Sequence, residues 1–203
     1  MNTTSSPLLD WAWDGSALDR VSGDLHVVVD YGHGALVALI DGLGHGPEAA
    51  AAAQAAVIQL EADPSARVED LIQRCHAALR STRGAAMSVA SIDARTARLS
   101  WSGIGNVEAC LLRAPKPSLR PDEAIALRGG VVGYVLPSLY VGELDLEQGD
   151  TLVMATDGIR AGFTAGLPRD AAPAELAHFI LLRHAKGTDD ARVLVVRFCT
   201  KVR

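Results

Sequence analysis

The stretch from Ala35 to Gln59 constrains this chain more than any other: ALVALIDGLGHGPEAAAAAQAAVIQ. Leu36 to Ile40 is an unbroken apolar run, the pattern of a strand covered on both faces. The run stops at Asp41, and Gly42, Gly44 and Gly46 follow, where the backbone can bend sharply and approach a ligand closely. Pro47 suits the first helical position, and Glu48 falls in the first turn, where the helix dipole favours a negative group. An alanine-rich helix then runs to about Glu61, and Asp63-Pro64 breaks it. Asp41 is thereby held between a strand end and a helix start, a place suited to binding a cation. The same residues would also make an ordinary strand-turn-helix connection, because Asp-Gly is a common turn pair. The choice needs support from elsewhere in the chain.

The preceding segment supplies some of it. Val21-Ser22-Gly23-Asp24 leads into the β-branched run Leu25 to Asp30, and Tyr31-Gly32-His33-Gly34 reads as a tight turn. The run therefore pairs antiparallel with Ala35 to Asp41. Asp24 starts one strand and Asp41 ends its partner, so both fall at the same end of the hairpin and can face one point.

The remaining pattern sets the fold class. Leu8 to Trp13 reads as a first strand, followed by a polar turn at Asp14 to Ser16. Val68 to Thr82 carries apolar residues at helical spacing. Ala85 to Asp93, Ala97 to Ser102 and Val107 to Arg113 read as a three-stranded meander, and the proline-bearing Ala114 to Pro121 as a loop. Short strands are expected at Ile125 to Leu127 and Val131 to Val135, longer ones at Ser138 to Leu146 and Thr151 to Thr156. The last of these ends at Asp157-Gly158. Pro173 to Ala185 is a third helix, and Gly187-Thr188-Asp189-Asp190 precedes a final strand over Ala191 to Cys199. Antiparallel runs with inserted helix pairs predict an α+β fold of two packed sheets covered by helices. A doubly wound parallel sheet would need a regular strand-helix alternation that is absent. The 203 residues suit one domain.

Charge and composition exclude some functions. A net charge of -5 gives no electrostatic reason to bind nucleic acid, and aromatics at 4% leave few platforms for stacking bases. No apolar stretch reaches the length of a membrane span, and MNTTSSPLLDWAWDG lacks the parts of a signal peptide, so a cytoplasmic location without a membrane partner is expected. Cys75, Cys110 and Cys199 are odd in number and widely spaced, which predicts buried, reduced thiols.

Asp24, Asp41, Asp157 and Asp189 share one context. Each adjoins a strong apolar strand, and the first three touch glycine. Four carboxylates gathered within about 5 Å would repel by roughly 3 kcal/mol per pair at an effective dielectric near 20, and so need divalent cations. Oxygen-only ligation, with no His or Cys cluster, points to magnesium or manganese rather than zinc. Two such ions can share a water, lower its pKa and aim it at phosphorus.

Ser22-Gly23-Asp24, Asp41-Gly42-Leu43-Gly44-His45-Gly46, Gly149-Asp150 with Ala155-Thr156-Asp157-Gly158, and Asp189-Asp190 before a terminal strand resemble the motifs of metal-dependent PPM-type (type 2C) protein serine/threonine phosphatases. The resemblance runs from about Trp11 to Phe198 and is greatest to the bacterial SpoIIE branch. The segment Gly103-Ile104-Gly105-Asn106-Val107 resembles the RsbX-like subtype that acts on stressosome proteins. The resemblance implies two antiparallel sheets sandwiched between helix layers and two divalent cations, Mn2+ or Mg2+. Asp41 would bridge both ions, Gly42 would lend its carbonyl, Asp157 and Asp189 would bind one ion, and Asp24 would act largely through bound water. Asp41 and Asp157 would be the catalytic pair, with a metal-bridged hydroxide as nucleophile. The implied partners are phosphorylated stressosome or anti-sigma-factor-antagonist (STAS-type) proteins, with the chain acting as a monomer.

Some residues depart from the pattern or stay open. Asn106 stands where many eukaryotic relatives carry an Asp that supports a third metal. Arg20 is the one candidate for an N-terminal phosphate clamp. Asp189 and Asp190 compete for one ligand position, and His45 is either a proton donor to the leaving oxygen or a structural residue at the helix start. His26, His33, His76, His178 and His184 have no partner in sequence, which suggests surface or hairpin positions. Among rival readings, a cysteine-dependent phosphatase fails because Cys75 and Arg80 are five apart within a helical pattern. A histidine-kinase-like ATPase fails on its Asp-x-Gly-x-Gly box, and there is no P-loop lysine motif. A catalytically silent phosphatase-fold module that binds phosphoproteins is the remaining alternative.

Overall fold

The computed structural model describes residues 2–114 and 120–199. Two sheets form. The first has the order β1 (Asn2–Ser5), β2 (Leu9–Ser16), β12 (Ala191–Phe198), β11 (Thr151–Ala155), β7 (Glu108–Leu112) and β8 (Glu123–Ala124). The second runs β10 (Gly142–Asp145), β6 (Arg98–Ile104), β5 (Ala85–Asp93), β4 (Gly34–Gly42) and β3 (Asp24–Tyr31). A two-residue strand, β9 (Leu127–Arg128), adds to β6 in parallel, whereas the pairings along both main ladders are antiparallel.

The unbroken apolar run of β4 follows from its position between β3 and β5, with both faces covered. Val37 and Leu39 point into a core between the sheets, which also holds Leu99, Trp101, Leu111, Met154, Leu194 and Phe198. Leu36, Ala38 and Ile40 point the other way, toward α1 (Pro47–Ala62) and α2 (Val68–Ala78). The buried face of α1 is mostly alanine (Ala49, Ala52, Ala53, Ala56), so the helix can lie close to the strands beneath it. On the outer face of the first sheet, Leu176, Ala177 and Ile180 of α3 (Pro173–His184) pack on Val153, Val193 and Val195. The result is the expected α+β architecture of two sheets between helix layers. No helix among the described residues is long and apolar enough to cross a membrane.

Several local expectations need correction. The meander stops after β6, and β7 crosses to the first sheet between β11 and β8. Alternation reports that a strand is half-buried but not which sheet it joins; here buried Val107 turns the chain across the core, and its carbonyl accepts from Ser88 Oγ at 2.6 Å. Asp14 to Ser16 continues β2, its backbone paired with Ala191 to Val193. The long strand expected over Ser138 to Leu146 shrinks to β10, and Val131 to Val135 folds back on itself by one bridge while Val132 pairs with Ala85. The second helix ends at Ala78 and finishes as a 3-10 turn over Leu79–Ser81. Residues 115–119 of the proline-bearing loop lie outside the described residues. All three cysteines are free, but only Cys75 is fully buried; Cys110 and Cys199 are partly exposed.

Candidate metal centre

Register brings the first two acids together. In the β3–β4 ladder Asp24 is the direct partner of Asp41. Each shares a strand face with residues of the inter-sheet core, such as Val28 below Asp24 and Leu39 below Asp41, so both carboxylates point into the gap between the sheets. The first sheet supplies the rest of the cluster. Asp157 follows the end of β11, and Asp189-Asp190 precede the start of β12, which pairs with β11. The four aspartates singled out in sequence are thus brought to one end of the sandwich, two from each sheet.

Glycines let these segments approach. A Cβ on Gly42 would lie 2.1 Å from the Ala49 carbonyl oxygen in the first turn of α1, and one on Gly158 would lie 1.9 Å from the carbonyl oxygen of Asp190. Only glycine therefore lets the Asp41 turn meet its helix and the Asp157 turn meet the start of β12.

The carboxylates have distinct surroundings. Asp24 is 1% exposed and accepts from Thr156 Oγ1 at 2.7 Å, a bond that spans the two sheets. Burial pushes its pKa up to about 7, opposed by Thr156 and by the charge of Arg192. Asp41 is pushed up to about 8 by burial first, then by the charges of Asp24, Asp157, Asp189 and Asp190. Burial and Asp189 also raise Asp157, which accepts from Asn106 Nδ2 at 2.7 Å and feels the charge of Lys186. Asp190 is buried, and its two oxygens accept from the backbone N–H groups of Leu18 and Gly23 at 2.7 and 2.6 Å. It ties the β2–β3 loop to the start of β12, whereas the neighbouring Asp189 is partly exposed.

This donor set fits hard divalent cations. It is made of oxygens, and burial first, then mutual repulsion, raises the pKa of its two deepest members toward neutrality, a cost that bound cations would relieve. Among the described residues no three acidic, histidine or cysteine side chains are gathered around a single point. Thr156 bonds Oδ2 of Asp24 and Asn106 bonds Oδ2 of Asp157, so each contact uses one oxygen of its carboxylate.

Other residues are placed differently from their sequence reading. Asp150, within the Gly149-Asp150 motif, lies at the opposite end of β11, where it pairs with buried Arg113 at 2.8 Å. His45 is exposed, and its Nδ1 lies 2.5 Å from Asp19 Oδ2, a hydrogen bond that raises its pKa. Arg20 lines a surface pocket with Asp19, Val21 and Pro47. His26 lies within the β3–β4 hairpin and is partly buried: it packs against Trp11 and Trp13, and burial lowers its pKa to about 4. Sequence reasoning missed Arg192, although Arg at the first inward position of an apolar strand is itself a signal. A cavity of about 480 Å3 opens at the far end of the β3–β4 hairpin, lined by residues including Tyr31, His33, Arg67 and Asp93. It holds none of the cluster, and the site is assigned from the convergence of charge.

Comparison with known proteins places this fold among the type 2C phosphatases. A chain solved in work on the bacterial stressosome, a modular system adapted to control secondary messenger signaling, superposes with a TM-score of 0.84 at 27% identity, covering 93% of this chain and 99% of that one. RsbX in complex with magnesium matches with a TM-score of 0.82 at 19% identity over 97% of this chain and 98% of that one. In sequence, the chain is 29% identical to the phosphoserine phosphatase RsbX of Bacillus subtilis (strain 168) over 125 residues, 61% of this chain and 60% of that protein's length. The family model described as Stage II sporulation protein E (SpoIIE) matches residues 31–199. The chain belongs to the SpoIIE family of PPM-type phosphatases.

Proposed function

We propose that this chain is a metal-dependent protein serine/threonine phosphatase that removes phosphate from phosphoserine or phosphothreonine on stressosome or anti-sigma-factor-antagonist (STAS-type) proteins. The observation that carries the reading is the pairing of Asp24 with Asp41 on one sheet, facing Asp157 and Asp189 from the other. Similarity to RsbX and to a chain from stressosome work supports the substrate class.

In this reading Asp41 and Asp157 are the central ligands, with Asp24, the Gly42 carbonyl and Asp189 completing the set. Bound Mn2+ or Mg2+ would supply an activated water at neutral pH and a charge clamp for phosphoryl oxygens. The chain's own residues do the positioning. Thr156 holds Asp24, Asn106 holds Asp157, and Asp190 fixes the β2–β3 loop so that Asp24 starts its strand opposite Asp41.

The test is phosphate release from a phosphorylated STAS-type protein by wild type and Asp157→Asn, each with manganese, magnesium or chelator. Metal-dependent release that the substitution abolishes is the expected result. Binding of the phosphoprotein without release under any condition would identify a silent binding module instead.

A further inference from the structure

Arg192 occupies a core position. Along β12 it shares a face with Leu194, Val196 and Phe198, all part of the core between the sheets. Its guanidinium carbon lies 4.2 Å over the ring of Trp13, and Nη1 donates to His26 Nδ1 at 2.9 Å. His26 is neutral in this setting and can accept that bond. Backbone bonds fix the residue further: its N–H donates to Thr156 Oγ1 at 2.8 Å, and its carbonyl accepts from Thr156 N–H at 3.0 Å. Nε is buried with no hydrogen-bond partner, and the guanidinium makes no direct ion pair among the described residues. The carboxylates that act on it through space are Asp24 and Asp190.

A half-buried guanidinium cannot shed its proton, and holding it against a ring and a neutral imidazole, with Nε unsatisfied and no carboxylate in contact, is costly. Its Nη1 meets His26, the next residue after Asp24 on the same face of β3, and Thr156 Oγ1 bonds both the Arg192 N–H and Asp24, so the charge sits beside the cluster without an ion pair to a ligand oxygen. We propose that Arg192 is an internal counter-charge that supports the acidic cluster when no cation is present and weakens the hold of the site on divalent cations. It is a positioning residue, resting on the metal reading above. With the charge removed, the carboxylates should repel more strongly in the cation-free protein and attract a cation more strongly.

The test is calorimetric titration of Mn2+ into wild type, Arg192→Gln and Arg192→Lys, with thermal unfolding in chelator and in saturating Mn2+. Arg192→Gln should bind Mn2+ about tenfold or more tightly, since a unit charge acts on a divalent ion through a partly buried path. It should also melt lower in chelator, with a wider gap between cation-free and cation-bound melting. Arg192→Lys keeps the charge while losing the planar fork, and should hold the wild-type Kd within about twofold. Folded Arg192→Gln with an unchanged or weaker Kd would overturn the proposal. So would Arg192→Lys with a Kd shifted well beyond twofold, which remains measurable if Arg192→Gln does not fold. Wild type that fails to bind Mn2+ at all would instead sink the metal reading.

Discussion

The hydroxyl of Thr156 donates to Asp24 across the gap between the sheets, and the same oxygen accepts the backbone N–H of Arg192. One side chain thus satisfies a buried carboxylate and a strand start together. Thr156→Val keeps the shape and removes both bonds, so it should cost about 1–3 kcal/mol of folding stability in urea titration. Thr156→Ser should cost much less. Equal losses for Val and Ser would show that the methyl group, not the hydroxyl, matters.

Asp24 and Asp41 should lower the stability of the cation-free protein as pH rises from their ordinary 3.8 to about 8. Asp24 and Asp41 have folded pKa values of about 7 and about 8, against an ordinary 3.8, so their contribution is full at acid pH and lost as pH climbs through those values. His26 acts oppositely: its folded value of about 4 lies below the ordinary 6.5, so it costs stability as pH drops from 6.5 toward 4. From 6.5 to about 8 His26 no longer opposes the acids, and exposed His45, raised by Asp19, adds to the same decline. Melting followed across that window in chelator should decline with pH. Saturating Mn2+ should reverse the slope, because ligation needs deprotonated carboxylates. A flat profile in chelator would contradict the assigned burial of both acids.

Gly158→Ala should be severe, because its Cβ would meet backbone, the Asp190 carbonyl oxygen, at 1.9 Å. Relief requires the Asp157 turn to part from the start of β12. A loss of about 3 kcal/mol or more is expected, the upper range for overpacking, together with weaker Mn2+ binding if the protein folds. Wild-type stability and affinity would refute the close approach.

Arg113 provides a control at the other end of β11. Its guanidinium is buried and reaches Asp150 at 2.8 Å and Glu123 at 2.5 Å. Asp150→Ala leaves that charge without its buried partner and should destabilise by about 3–5 kcal/mol. Mn2+ affinity at a temperature where the variant stays folded should be unchanged. A large change would place Asp150 in the metal site after all.

Local pattern revealed the β3–β4 hairpin, the glycine turn and the helix after it, because each is specified by neighbours in sequence. The placement of Asp24 opposite Asp41 is legible in the residues alone, because a short turn leaves little freedom in register. The crossing of β7 to the first sheet is not, since Glu108 to Leu112 carries the same alternation in either sheet. Asp150 looks like a site residue because it stands in a Gly-Asp pair, and only the length of β11 separates it from Asp157. Arg192 and His26 go unseen as a pair because 166 residues separate them. That Asp190 anchors the β2–β3 loop depends on the N–H groups of Leu18 and Gly23, which nothing near β12 could reveal.

The place of β12 between β2 and β11 bears on synthesis of the protein. A ribosome delivers β2 early and β12 last among the described strands, and until β12 slots between its neighbours Asp190 has no loop to anchor and Arg192 has no Trp13 to rest on. A nascent chain can therefore display Asp24 and Asp41 on a finished hairpin while still lacking the opposing half of the cluster. The site stays unassembled through most of its own translation, and a fragment cut just before Ala191 would carry all four marked aspartates with no frame to aim them.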